Sequence, residues 1–472
     1  MTKDRLITIA MLVPVLAAIA VNAHAQPYSL LYNFGSNSGD PTGPRYSGII
    51  AQGRDGALYS TADNHWTDAQ GVAFRATREG SVAVLHHFSG LDGQAPVGGL
   101  TLATDGSYYG TTDSGGLFSR GTIFRITSKG TLTSLYNFTG RVDGSHPQAP
   151  PVQGFDGNFY GTTVGGSTNE DFGSVYKITS SGKFTTLHSF SNMDGASPYA
   201  PLVQATDGSL YGTTFDGGSN NLGTVFRIGI HGKFKVLFNF DGARGANPYA
   251  PLIQASDGSF YGVTSAGGSV GGGIVFKITS SGSMRILHEF TGGVDGSNEV
   301  GGLVQATDGN LYGTNNVGGG SGWGVLFRIT PMGAFTVLHD FDWESGASPQ
   351  ATLLQHTSGV LYSTTAVGGL NNNGEGTFYS FDVGLHPFVA FVIAAGKAHG
   401  KVGIIGQSFS RAISVSFNGI PASFTVVSNT YMTALVPRRA TTGFVTVTTS
   451  DGTLRSNKKF FVLRGRNPKS AR

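Results

Sequence analysis

Four histidines, His86, His188, His288 and His339, each stand in a Leu-His-x-Phe sequence, and a metal site would need several of them to converge. The slot argues against that, because equivalent positions hold Tyr32, Tyr136 and Phe238. A position that takes His, Tyr or Phe is a packing position, so no metal site is expected. The pairs Asp55-Gly56, Asp105-Gly106, Asp156-Gly157, Asp207-Gly208, Asp257-Gly258 and Asp308-Gly309 offer one carboxylate each. That is too few for calcium, which takes about six to eight oxygens, so these are read as hairpin turns. A basic slot recurs at Arg75, Arg125, Lys177, Arg227, Lys277 and Arg328. It is expected to face the Asp of the same copy, and the seventh copy lacks both, with Ser358 and Ser380. Basic residues spread one per copy do not make a nucleic-acid surface. No Ser/His/Asp set, paired carboxylates or phosphate-binding glycine loop stands out, so neither catalytic residues nor a cofactor are assigned.

The elements that must position these residues come from a repeat. Tyr59, Tyr109, Tyr160, Tyr211, Tyr261, Tyr312 and Tyr362 are separated by 50, 51, 51, 50, 51 and 50 residues. The fourth copy carries four strand signals: Leu202 to Thr206, Ser209 to Thr214, Gly223 to Ile228 and Phe234 to Phe240. Asp207-Gly208 between the first two reads as a two-residue type I′ turn. Four-stranded antiparallel units of this length in series are the signature of propeller blades. The fourth strand is missing after the seventh copy, but Tyr28 to Phe34 ends in the same LYNF as Leu132 to Phe138. The expected fold is therefore all-β: a seven-bladed β-propeller over 26–384, closed by the N-terminal strand. In that strand Tyr28, Leu30, Tyr32 and Phe34 are expected to share one face. A Gln recurs at Gln52, Gln153, Gln204, Gln254, Gln305 and Gln355, placed to hydrogen-bond a neighbouring blade or to line an axial channel.

Composition agrees with this fold. Charged residues are 12%, but 32 Phe and 17 Tyr supply a large core despite 73 Gly. Residues 1–25, with Lys3, Arg5, an apolar run from Leu6 to Val21 and Ala23-His24-Ala25, read as a signal peptide cleaved near Ala25. The mature chain is expected to be secreted, at the cell surface or periplasmic, with no transmembrane segment. There is no cysteine, so packing alone must hold an extracellular fold. The net charge is +3, with nine Lys or Arg and one acid between Arg438 and Arg472; 465–472 is a basic tail.

The motif LVQATDGSLYGTT, followed by a Gly-Gly loop, GTVFRI and an L-H-x-F strand, resembles the GloVer tandem-repeat family of predicted extracellular proteins from about Tyr28 to Asp382. That family carries no assigned chemistry, so the resemblance implies architecture and location. Residues 385–464 differ. Gly403 to Phe409, Val415 to Ala422, Ala434 to Pro437 and Gly443 to Val447 resemble an IPT/TIG domain, which implies an immunoglobulin-like β-sandwich used as a spacer or binding module. Short alternating strands support the sandwich independently.

Ligand binding is expected where loops vary on a rigid scaffold. All three tryptophans fall in loops between the second and third strands or between blades: Trp66, Trp323 and Trp343, with amides at Asn64, Asn371, Asn372 and Asn373. Indole faces suit sugar rings, so a polysaccharide or envelope component is the expected partner of a noncatalytic binding or scaffold protein. The alternative is a propeller enzyme of lyase or lactonase type, using loop residues His65, Asp113, Asp171, Asp216 or Glu375.

Overall fold

Every repeat is a strip of apolar residues too narrow to bury itself, and its strands are short because Gly-rich turns interrupt them every few residues. In the computed structural model, residues 28–44, 49–64, 70–166, 172–298, 301–370 and 374–463 are described. The expected leader at 1–25 and basic tail at 465–472 lie outside them. The described chain is all-β apart from one 3₁₀ turn, Phe409–Arg411, and no helix in it is long and apolar enough to cross a membrane.

Seven four-stranded antiparallel sheets follow the seven repeats, giving a propeller-like body. Repeat 4 runs Val203–Gln204, Leu210–Thr214, Thr224–Ile228 and Phe234–Asn239, each next to the last. The second and third strands are buried on both faces, which suits their runs of β-branched and aromatic residues. Repeat 7 has three strands of its own, Leu354–Gln355, Leu361–Thr364 and Thr377–Phe381; its fourth is Tyr28–Asn33, antiparallel to Thr377–Phe381.

The turn at Asp207-Gly208 differs from expectation. Gly208 has φ 80°, but Asp207 is not among the residues with positive φ. The Gly208 amide donates to the Ala205 carbonyl at 2.9 Å, and Ala205 N donates to Ser209 O at 2.9 Å. This is a type I turn closed by a left-handed glycine, not type I′. The Asp side chain explains the choice. Asp207 Oδ1 accepts from Ser209 N at 2.9 Å, and Oδ2 accepts from the Tyr211 hydroxyl at 2.9 Å. The same tyrosine-to-aspartate bond joins Tyr59, Tyr109, Tyr160, Tyr261 and Tyr312 to the turn Asp four residues before each. The expected basic partner arrives from the third strand: Arg75–Asp55 and Arg227–Asp207 at 2.9 Å, Lys277–Asp257 at 2.8 Å and Lys177–Asp156 at 3.7 Å. These pairs are partly exposed and worth little individually; they fix the turn.

The N-terminal strand also departs from simple alternation. A bulge between Leu30 and Tyr32 shifts its register. Tyr28 therefore packs against repeat 6, stacked on His339 at 4.2 Å, whereas Leu31, Tyr32 and Phe34 join the core shared with repeat 1. The same bulge recurs in the outer hairpins, for example between Val225 and Phe226. An extra residue in a strand turns the side chains beyond it to the opposite face. One outer strand thus contacts both neighbours: Phe234 stacks back on His188 at 3.8 Å, Phe335 on His288 at 3.9 Å, and Phe184 on Tyr136 at 4.2 Å. The histidines of this slot are packing residues, as expected. His86, His188 and His288 also lie 2.7, 3.0 and 3.0 Å from Asp92, Asp194 and Asp295 of the following loop.

The recurrent glutamines bond the neighbouring repeat. Gln153, Gln204, Gln254, Gln305 and Gln355 accept from the amides of Thr104, Phe155, Thr206, Ser256 and Thr307 in the preceding repeat, at 2.7–3.1 Å. Thr357 of repeat 7 donates to Gln52 of repeat 1 at 2.9 Å, and Gln52 Nε2 returns a bond to Thr357 Oγ1 at 2.7 Å. Repeat 2 has Leu102 in place of Gln.

Residues after Phe388 form two four-stranded sheets and a parallel pair, Ala395–Lys397 with Phe461–Leu463, over one core that includes Val402, Ile404, Met432, Val415, Phe417, Val445 and Val447. This second unit seats on repeats 7, 1 and 2. Gln407 donates to Thr357 Oγ1 at 2.8 Å, Thr430 to Arg54 O at 2.7 Å, and Ile405 and Tyr431 enter the core holding Tyr59, Leu102 and Tyr108.

Two predictions follow from these contacts. Burial of an aromatic or aliphatic side chain contributes roughly 1.5–3 kcal/mol, so removing Tyr28 to Phe34 should unfold or aggregate the body, which calorimetry and light scattering would show. A truncated chain that melts as the parent does would mean the strand is dispensable. The second concerns pH. Burial and the nearby aspartates push Tyr109 and Tyr211 up to about 12. The ordinary value is about 10, so this stability is complete below about pH 10 and is lost as pH rises towards 12. Tyr109→Phe with Tyr211→Phe should lower Tm at pH 8 by loss of two hydrogen bonds, each worth about 1 kcal/mol. The difference from the parent should shrink by pH 11; a constant difference would show that the two hydroxyls titrate normally.

Candidate functional site

The two ends of the repeat strands differ in sequence and in geometry. At one end lie the tight Asp-Gly turns and the second unit. At the other lie the longer loops between second and third strands and between repeats, where the tryptophans were expected.

Trp323 lies between Leu311–Asn315 and Val325–Ile329 of repeat 6, and Trp343 lies on the connection from repeat 6 to repeat 7. Their rings meet edge to face, with centroids 5.0 Å apart, and they remain 40% and 43% exposed. Aromatic pairs of this geometry gain energy from the ring quadrupoles as well as from area. Backbone bonds hold the loops beneath them. Ser348 N donates to Trp323 O at 2.9 Å, and Gly369 N to Trp343 O at 2.7 Å. Gly374 sits at φ 62°, and a Cβ there would fall 2.8 Å from Trp343 Cζ2, so a larger residue would displace the indole. Leu370 extends the exposed apolar surface at 67%. Glu375 is next in sequence to Gly374; its Oε2 is buried and lacks a hydrogen-bond partner among the described residues.

The remaining expected residues are placed differently. Trp66 and Asn371 lie outside the described residues, as do His65, Asp171, Asn372 and Asn373. Asn64 is buried rather than presented to solvent, with φ 52°, and its Oδ1 accepts from Thr42 N at 3.0 Å. Asn and Asp tolerate left-handed backbone better than other residues with a Cβ, so this amide shapes its loop.

A second group at the same end holds Asp113 and Asp216, two loop carboxylates named from sequence, beside an aromatic stack that the sequence reading missed. Tyr199 and Tyr249 stack at 4.8 Å with Phe215 edge-on to both, and the Tyr249 hydroxyl donates to Gln148 Oε1 at 3.4 Å. Gln148 Nε2 donates to Asp113 Oδ1 at 2.9 Å, and His146 Nδ1 lies 3.4 Å from Asp113 Oδ2. The hydrogen bond to Asp113 holds the His146 imidazole above its ordinary pKa against the opposing effect of burial. Asp216 nearby is raised by burial, and Asn247 donates to it at 3.4 Å. The signal was available: Pro-Tyr-Ala-Pro occurs at 198–201 and 248–251, with Pro-Gln-Ala-Pro at 147–150. The prolines bring these segments to one place, and the residue after the first proline is the variable one. Chemically, the loop end offers flat aromatic faces, amides and carboxylates, a set suited to hydroxyl-rich ligands.

No curated protein matches the chain. Among solved structures, a fungal alcohol oxidase of the AA5 family, in complex with copper, aligns with TM-score 0.50 and 14% identity over 93% of this chain and 100% of its own. A gluconolactonase from Xanthomonas campestris aligns with TM-score 0.39 and 11% identity over 72% of this chain and 98% of its own. At 14% identity the likeness to the oxidase is one of fold. The sequence pattern of the Gloeobacter/Verrucomicrobia repeat matches residues 19–202, 102–305 and 252–402, and the chain belongs to that family.

Proposed function

We propose that this is a secreted, noncatalytic binding or scaffold protein that takes extracellular glycans on the loop end of a seven-bladed β-propeller. The N-terminal strand closes the propeller, and an immunoglobulin-like sandwich of IPT/TIG type rides on its turn end. Seven shared cores support the ring, one between each repeat and the next, the last joining Phe34, Tyr362 and Phe378 to Leu58 and Phe74. The observation that carries the binding role is the half-exposed Trp323–Trp343 pair, held on loops tied by backbone bonds from Ser348 N to Trp323 O and from Gly369 N to Trp343 O. Large apolar rings left in water on a rigid support are costly unless covered by a ligand. The Tyr199–Tyr249 stack, with Gln148 and Asp113 beside it, offers a second platform at the same end. Trp66 and Asn371, which the sequence puts in loops of the same kind in repeats 1 and 7, lie outside the described residues.

The second reading, a propeller enzyme acting on carbohydrate as a lyase or lactonase, draws on Asp113 and His146, a pair the other repeats do not carry. Among the described residues no three His, Cys, Asp or Glu side chains converge as a metal would require, so the copper reported with the oxidase is not carried over.

Glycan arrays followed by tryptophan fluorescence titration of the full chain test the binding role. Trp323→Ala and Trp343→Ala should each weaken binding roughly tenfold, the equivalent of about 1.4 kcal/mol, in proteins that remain folded. Trp66→Ala should do the same if its loop completes the patch. Folded Trp323→Ala and Trp343→Ala proteins that bind envelope or plant polysaccharides as the parent does would remove this face from consideration. Turnover of a sugar lactone that is abolished by Asp113→Asn would favour the enzyme.

A further inference from the structure

The second unit rests on repeats 7, 1 and 2 and leaves a wedge over repeats 3, 4 and 5, at the turn end of the strands. This interdomain cleft encloses about 560 Å³, within the roughly 300–1,000 Å³ of small-molecule sites. Its body is apolar and aromatic: Phe155 on the repeat side and Phe391, Phe444 and Phe461 on the other, all half-buried. Its polar groups are unevenly matched. The inner-strand glutamines that line it are spent, since Gln204 and Gln254 accept from the preceding repeat and donate to Gly208 O and Gly258 O. Asp257 is neutralised by Lys277 at 2.8 Å. Lys458 and Lys459 also line the cleft, and neither has an acidic partner among the described residues.

We propose that this cleft binds a small amphiphilic carboxylate. Its apolar body lies against Phe155, Phe391 and Phe461, and its anionic end meets the ammonium groups of Lys458 and Lys459. This site goes beyond the glycan-binding reading and is independent of it, because the cleft and the tryptophans lie at opposite ends of the strands.

Three further features support it. The loop bearing the lysines is fixed: the Ser456 hydroxyl donates to Lys458 O at 2.7 Å, Asn457 N to Val389 O at 3.2 Å, and Phe461 N to Ala394 O at 2.8 Å. The Lys458 side chain is exposed at the cleft wall, where an anion can reach it, and the surrounding protein holds its pKa below the ordinary lysine value. Finally, Arg455 is committed to the face of Phe444, at 3.6 Å. The available cations are therefore ammonium point charges, without the guanidinium fork that favours bidentate phosphate recognition.

The test uses the full chain with 2-naphthoate as probe and 2-naphthamide as its uncharged counterpart, followed by calorimetry and probe fluorescence. Naphthoate should bind saturably, and added NaCl should weaken it. Lys458→Met with Lys459→Met should cut naphthoate affinity by about tenfold or more while leaving the weaker naphthamide binding within about twofold. Phe391→Ala should weaken both probes, and Trp323→Ala neither. Absence of saturable naphthoate binding to the parent would overturn the proposal. So would equal naphthoate affinity in the double lysine variant at unchanged Tm. Should that variant not fold, parent binding that ignores salt overturns it equally.

Discussion

A four-stranded sheet with two apolar faces has no stable existence alone, and every feature of the repeat body answers that constraint. The faces must be covered by the next sheet on either side. The bulged outer strand and the inner glutamine are the two devices that fix how one sheet meets the next. The bulge lets a single strand send Phe234 back onto His188 and Phe238 forward into the core shared with repeat 5. The glutamine accepts from a backbone amide of the preceding turn, at 2.7 Å in the case of Phe155. Packing sets the angle between sheets and the glutamine sets their height, so the contact is specific without a disulfide.

Departures from the repeat become intelligible once the second unit is in view. In repeat 7 the Asp and basic residue are both replaced, by Ser358 and Ser380. The turn there is covered: Phe388 N donates to Thr357 O at 3.0 Å, and buried His356 lies 2.8 Å from Ser358 Oγ and 3.1 Å from Gly56 O. An ion pair at that position would lose its water, and desolvation of two charges outweighs their attraction unless the geometry is excellent. Burial accordingly holds His356 low, at about 4, and neutral. In repeat 2 the glutamine becomes Leu102, which faces the core containing Ile405 and Tyr431. Arg54 replaces the missing clasp, donating to Thr104 O at 2.6 Å and lying 4.5 Å over the Tyr431 ring.

Much of this was legible in the sequence because it is periodic. The tyrosine spacing, the six glutamines, the Asp with its basic partner and the displaced LYNF strand each repeat a physical requirement, and repetition separates requirement from accident. The turn type was not legible, since Asp-Gly serves both type I′ and type I with a left-handed glycine; the tyrosine four residues on decided it. Nor was the bulge, because a one-residue insertion leaves composition unchanged while reversing which face Tyr32 occupies. The site was partly legible. Trp323 and Trp343 meet edge to face, whereas Asn64 looked like a surface amide and is a buried loop support. The tyrosine stack was hidden by its variability: Gln148, Tyr199, Tyr249 and Gln350 occupy one slot with different chemistry. A search for invariant residues passes over such a slot.

That variability marks a division of labour between the two ends of the strands. At the turn end the backbone demands leave little freedom, since Asp207 already serves an amide, a hydroxyl and a guanidinium. Replacing it frees three partners at once, so new chemistry there has to come from another element laid over the turns, as the second unit supplies around Lys458. At the loop end the Gly-Gly segments bond largely through backbone, such as Gly218 N to Asn192 O at 2.7 Å, with one recurrent side-chain tie from the outer strand, Ser219 N to Asn239 Oδ1 at 2.9 Å. Side chains in these loops can therefore change repeat by repeat at small cost to the fold. The variable aromatic and carboxylate groups collect at this end, while the recurrent tyrosines and aspartates are committed to one another at the turn end.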